Sequence, residues 1–130
     1  MSWVLTDPDD VQSKDVADPA EVFWLLDALD DDQANGGGTA VVLESGPYCL
    51  TVALSPDGVM LFWSDDVEFY SSVGDLPGAR GTVWFSYGGS ATEVDARRAV
   101  RRNVAVLAVA QFMRDACKLP AVDDLAWELE

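Results

Sequence analysis

The chain has 130 residues, enough for one domain, and 49% of them are apolar, well above the composition of a disordered chain. Acidic residues number 23 against 8 Lys plus Arg, for a formal charge of −15, and histidine is absent. These values exclude a His-based triad, a His general base and a His metal ligand, and they set the chain against nucleic acid and anionic membranes, so a basic partner is favoured.

The opening MSWVLTDPDD has neither a basic segment nor an apolar run and does not read as a secretory signal. The longest weakly polar stretch, 104–110, is too short to span a bilayer. A cytoplasmic protein is expected. Cys49 and Cys117 read as small core or boundary residues rather than as a disulfide.

Residues 1–32 hold ten acids and one base, a negative lobe on a moderately negative body. Residues 1–17 read as an extended arm, in which Trp3, Val4 and Leu5 can pair as a short strand. Asp18-Pro19-Ala20-Glu21 is a helix start: Asp18 caps, Pro19 suits the first helical position and Glu21 approximates a capping box. Val22, Leu25, Leu26 and Leu29 recur at helical spacing, and Phe23 and Trp24 broaden the apolar face. The helix should end near Asp30, with Asp30, Asp31 and Asp32 placed against the macrodipole.

After Asn35-Gly36-Gly37-Gly38, strands are predicted at 39–44, 48–54, 59–63, 67–70 and 82–87, with Ser55-Pro56-Asp57-Gly58 as the clearest turn signal. Residues 93–117 read as one long helix, its 104–110 half apolar nearly all round and therefore buried. Leu125, Trp127 and Leu129 alternate as a half-buried last strand. The expected fold is a single α+β domain: an antiparallel sheet of about five or six strands packed on two helices in two layers. Its core should comprise Val22, Leu25, Leu26, Val52, Leu54, Leu61, Val83, Phe85, Val104, Leu107 and Phe112.

Little in the chain points to catalysis. There is no GxSxG, SxxK, phosphate loop or EF-hand spacing. Adjacent acids such as Asp65 and Asp66 point to opposite sides of a strand and do not build a glycosidase pair. Arg97, Arg98, Arg101 and Arg102 form a basic stripe best explained by pairing with Glu93, Asp95 and strand carboxylates. No enzyme activity, cofactor or metal is expected.

Binding is what remains. Residues 63–70 interleave Asp65, Asp66 and Glu68 with Trp63, Phe69 and Tyr70, charges beside rigid contact area, a combination suited to a cationic protein and equally to a charge-protected edge strand. Three acidic sites compete: Asp7, Asp9 and Asp10 of the arm; Asp30, Asp31 and Asp32; and 63–70 helped by Asp57. The last is taken as the centre and the Asp30 triplet as a rim, because loose acidic loops mainly steer.

The strand TVWFSY, the following glycine pair, Glu93, Ala96-Arg97-Arg98-Ala99-Val100, Gln111-Phe112-Met113, Leu119-Pro120, Val122 and Trp127 form an ordered set. It resembles the Imm-one immunity proteins of bacterial polymorphic toxin systems, over roughly residues 36–130. The resemblance implies an α+β protein that binds a secreted toxin in the producer's cytoplasm and blocks it. Such toxins are often nucleic-acid deaminases, whose basic groove an acidic inhibitor complements. The expected partner is a cognate toxin with a basic surface, bound one-to-one by a protein that is monomeric when free. The alternative is an acidic secretion or folding chaperone for a neighbouring effector, with an apolar groove for an unfolded segment.

Overall fold

The computed structural model describes residues 3–6, 13–16, 18–32, 39–55, 58–74, 76, 81–87, 90–115 and 119–129. The fold is α+β: an open antiparallel sheet carrying two helices, as expected from the sequence.

In chain order the strands are β1 (Trp3–Thr6), β2 (Ser13–Val16), β3 (Thr39–Ser45), β4 (Tyr48–Ser55), β5 (Gly58–Ser64), β6 (Phe69–Val73), β7 (Thr82–Tyr87), β8 (Ser90–Asp95), β9 (Ala99–Val100) and β10 (Ala126–Leu129). The helices are α1 (Pro19–Asp32) and α2 (Arg102–Arg114). Spatial order in the main sheet is β10-β6-β5-β4-β3-β1-β2, while β7 and β8 form a separate two-stranded ribbon. The β1–β2 hairpin and the two-residue β9 extend the expected strand set.

Register follows the alternation of apolar residues. Leu50, Val52 and Leu54 of β4 lie opposite Trp63, Leu61 and Val59 of β5, so all six share one sheet face. That face packs against Val22, Phe23 and Leu26 of α1 and Val104, Ala105, Ala108, Val109 and Phe112 of α2. The opposite face holds a smaller cluster, Ala40, Ala53, Met60 and Ala99, against which Phe62, Leu76 and Val94 of β8 pack. Helix α1 starts as read: Asp18 Oδ1 accepts from the Ala20 N–H at 2.9 Å.

Beside β5 the sheet branches. Its C-terminal half pairs with β6, Phe62 opposite Ser71, and its N-terminal half with β9, Val59 opposite Val100. Ser72, fully buried at the branch, accepts from the Leu61 N–H at 2.9 Å and donates to the Arg98 carbonyl at 2.7 Å. One hydroxyl thus satisfies a donor and an acceptor that the interrupted ladder leaves over. Gly74 lets the backbones close here, since a Cβ on it would stand 1.8 Å from the Ala99 carbonyl oxygen.

Two expectations are corrected. The single helix over 93–117 is instead β8, a 3-10 turn at Ala96–Arg98, β9 and then α2. Residues 90–95 pair with β7, Trp84 opposite Glu93, and Asp95 Oδ1 caps the turn by accepting from the Arg97 N–H at 3.0 Å. Second, Leu107 is not core. It is 57% exposed, because α2 buries one side on the sheet and no element of the described residues covers the other. Trp24 likewise points outward at 72% exposure, while its neighbour Phe23 is buried. Of the remaining expected core, Val22, Leu26, Val52, Leu61, Val104 and Phe112 are buried and Leu54 packs at the edge of their cluster. The side chains of Leu25, Val83 and Phe85 lie outside the described residues.

Candidate functional site

The best-formed surface feature of the described residues is the turn joining β5 to β6. Ser64 pairs with Phe69, leaving Asp65, Asp66, Val67 and Glu68 to reverse the chain. Asp65 builds the reversal. Its Oδ1 accepts from the Val67 N–H at 2.8 Å and the Glu68 N–H at 2.7 Å, and its own N–H donates to the Glu68 carbonyl at 3.1 Å. An aspartate side chain is short enough to reach the amides two and three residues ahead. Those two N–H donors, Glu68 first, hold the Asp65 carboxyl below the usual carboxylate range.

Val67 therefore stands at the apex, 88% exposed, between the exposed Asp66 and Glu68. Glu68 Oε2 accepts from the Tyr70 hydroxyl at 2.9 Å, a bond that favours the protonated phenol and pushes Tyr70 up. The aromatics divide between the two sheet faces. Phe62 and Phe69 stack at 6.4 Å on one, with Phe69 partly exposed, and Trp63 lies between Tyr48 at 6.3 Å and Tyr70 at 5.8 Å on the other.

The structure thus brings Asp65, Asp66, Glu68 and Tyr70 into one turn. Trp63 is only 4% exposed and belongs to the core, so it supports the turn from beneath and offers no ring to solvent. Its indole N–H is buried without a hydrogen-bond partner among the described residues. Asp57 lies outside the described residues, as do Asp7, Asp9 and Asp10. Asp30, Asp31 and Asp32 form the last residues of α1, and their side chains lie outside the description too.

Two apolar contributors were not singled out from the sequence. Val67 carries no signal in a run of acids, because only the turn geometry puts it at the apex. Leu129, read as half-buried, pairs with Tyr70 on the edge strand β10 and is 59% exposed.

The basic stripe is dispersed by the break before α2. Arg97 and Arg98 both bind Glu128, at 2.6 and 3.0 Å, and hold its carboxyl below the usual range, Arg98 most strongly. Arg102 forms a two-bond fork with Asp27 at 3.0 and 2.8 Å. Cys49 is a free, half-buried thiol opposite Ser64, and burial, then Glu44, pushes its pKa up, away from thiolate chemistry. Cys117 lies outside the described residues. Among the described residues no group of three or more Cys, Asp or Glu could hold a metal ion, and no helix is long and apolar enough to cross a membrane.

The turn presents hydrogen-bonded carboxylates beside exposed apolar contact area. The family model for immunity protein Imm1 matches residues 12–129, nearly the whole chain. No curated protein and no solved structure matches it. The chain belongs to the Imm1 family of immunity proteins. Such a protein acts against a toxin, and the class is in general non-enzymatic.

Proposed function

We propose that the chain neutralises the cognate secreted toxin of a bacterial polymorphic toxin system, by binding it one-to-one in the cytoplasm of the producing cell. The observation that carries this reading is the family match over residues 12–129. The charge of −15 adds direction, because it favours a toxin with a basic surface. An enzyme that grips DNA or RNA has such a surface, and a deaminase-like toxin is the member of that class proposed here.

The contact is centred on residues 63–70. Asp65, Asp66 and Glu68 supply charge, Val67, Phe69 and Tyr70 supply contact area, and Trp63 braces them from the core. The turn is held by its own hydrogen bonds before any partner arrives, which lowers the entropy lost on binding. Asp57 is assigned to the neighbouring hairpin contact and Asp30, Asp31 and Asp32 to the rim.

Co-expression with the toxin domain encoded beside its gene tests the proposal. Growth of a susceptible bacterial host should be restored, the two chains should co-purify one-to-one, and the toxin's deamination of DNA or RNA should stop when the protein is added. A toxin that remains lethal and forms no complex would overturn it.

A further inference from the structure

Beyond Tyr70 the surface of the β5–β6 turn continues onto the neighbouring strand. In the register of β6 with β10, Tyr70 lies directly opposite Leu129. Opposite residues of an antiparallel pair stand on the same face, with Cβ atoms about 4.5–5.5 Å apart. The Tyr70 hydroxyl donates to Glu68 Oε2 at 2.9 Å. Glu68, Tyr70 and Leu129 therefore form one continuous row, from an acid through an aromatic ring to an aliphatic side chain, across two strands. Both ends of the row face water: Glu68 is exposed, and Leu129 is 59% exposed. A carboxylate that accepts one bond keeps acceptor capacity for a second partner.

Little burial holds Leu129 in this place. Strand β10 is the last strand on its side of the main sheet, and of its four residues only Trp127 is half-buried. Its seating rests on polar bonds. The Trp127 indole N–H donates to the Pro120 carbonyl at 2.7 Å, and Glu128 takes Arg97 at 2.6 Å and Arg98 at 3.0 Å. Both arginines are fixed to β6 without the help of β10. The Gly74 N–H donates to the Arg97 carbonyl at 3.0 Å, and the Ser72 hydroxyl donates to the Arg98 carbonyl at 2.7 Å. The clasp thus runs from β6 through the 3-10 turn to Glu128 and so onto β10. With its carboxylate committed to two arginines of its own chain, Glu128 acts as a peg that fixes the residue beside it.

We propose that the toxin contact extends from the turn onto β10, with Leu129 as a contact residue and Glu128, held by Arg97 and Arg98, as a positioning residue; this rests on the toxin reading above. The complementary surface of the toxin carries a basic side chain facing Glu68 and, beside it, an apolar side chain facing Tyr70 and Leu129. The acid steers the approach, and the apolar end of the row supplies area that slows dissociation.

Binding kinetics of the full chain with the toxin domain encoded beside its gene test the proposal. Leu129→Ala should lower affinity about fivefold or more, through the off-rate. Its far-UV circular dichroism and thermal midpoint should be unchanged, since that side chain is exposed. Glu128→Ala should raise the off-rate at least about threefold. Arg97→Ala should raise it by less, because Arg98 still holds Glu128. These last two variants remove opposite charges, so an effect of steering would move their on-rates in opposite directions, whereas lost positioning raises both off-rates. In the free protein, amide exchange over residues 126–129 should quicken in both. Unchanged exchange would overturn the clasp, and opposite shifts confined to the on-rates would overturn the positioning role. A complex as tight with Leu129→Ala as with the parent would overturn the extension onto β10 and leave the immunity function standing. Absence of any complex with the parent chain would overturn the toxin reading and this extension with it.

Discussion

Ser72 carries more of this fold than its size suggests. Its hydroxyl serves both Leu61 and Arg98 inside the sheet, where water cannot replace it. Ser72→Ala keeps the volume nearly constant but strands one buried donor and one buried acceptor. The expected loss is about 1–3 kcal/mol, read as a lower urea midpoint at unchanged slope. A variant as stable as the parent would show that the branch is satisfied in another way. Asp65 makes the second prediction at this scale. Its folded pKa lies below its unfolded value because the carboxylate accepts from Val67 and Glu68. The bonded turn is therefore complete above the ordinary carboxylate range and is lost as pH falls through the lowered folded value. In an NMR titration the Val67 and Glu68 amide shifts should move with a midpoint below that of an ordinary aspartate. A midpoint at the ordinary position would mean the carboxylate does not hold the turn.

At the scale of elements, α2 separates what hydrophobicity says from what packing decides. Phe112 and Leu107 lie on the same helix, yet Phe112 is fully buried and Leu107 is more than half exposed. Phe112→Ala should cost about 3–5 kcal/mol, and Leu107→Ala less than about 1 kcal/mol, both measured by urea unfolding at low protein concentration. Similar costs for the two would return Leu107 to the core. The central strands and α1 were legible because their signals are local: Val-, Leu-, Tyr- and Thr-rich runs at 39–44, 48–54 and 59–63 bounded by Gly- and Pro-containing turns, and Asp18-Pro19 at a helix start. Residues 93–100 read as helix in the sequence because Ala96, Arg97 and Arg98 are good helix formers next to α2. Pairing with β7 and β5 overrides that preference. The pair Gly88-Gly89 directly after the strand-like run 82–87 was the available hairpin signal.

For the molecule as a whole, the proposed toxin contact predicts that charge sets the approach and contact area the lifetime of the complex. The net −15 should raise the association rate with a basic toxin at low salt. At 0.15 M the Debye length is about 8 Å, so the on-rate should fall with added salt while the off-rate changes less. In stopped-flow or surface-binding kinetics, an on-rate independent of salt would remove the steering argument. Asp66→Arg, beside the exposed Val67, should weaken toxin binding by about 2 kcal/mol or more, whereas Asp31→Arg should cost under about 1 kcal/mol and act through the on-rate. A large effect from Asp31 alone would move the interface to the end of α1.

The sequence by itself determined the α+β class, the order of the central strands, the capped start of α1 and the net acidic charge of the chain. Each of these is a sum of local preferences or a count of charges, so no long-range contact is needed to read it. Tertiary structure alone decided that Trp63 turns inward while Val67 rises at the apex, that Ser72 bridges a split in the sheet, and that Leu107 and Trp24 remain in water. These depend on which element lies beside which. A side chain's hydrophobicity drives it toward burial, but whether it is buried depends on the presence of a neighbour to cover it.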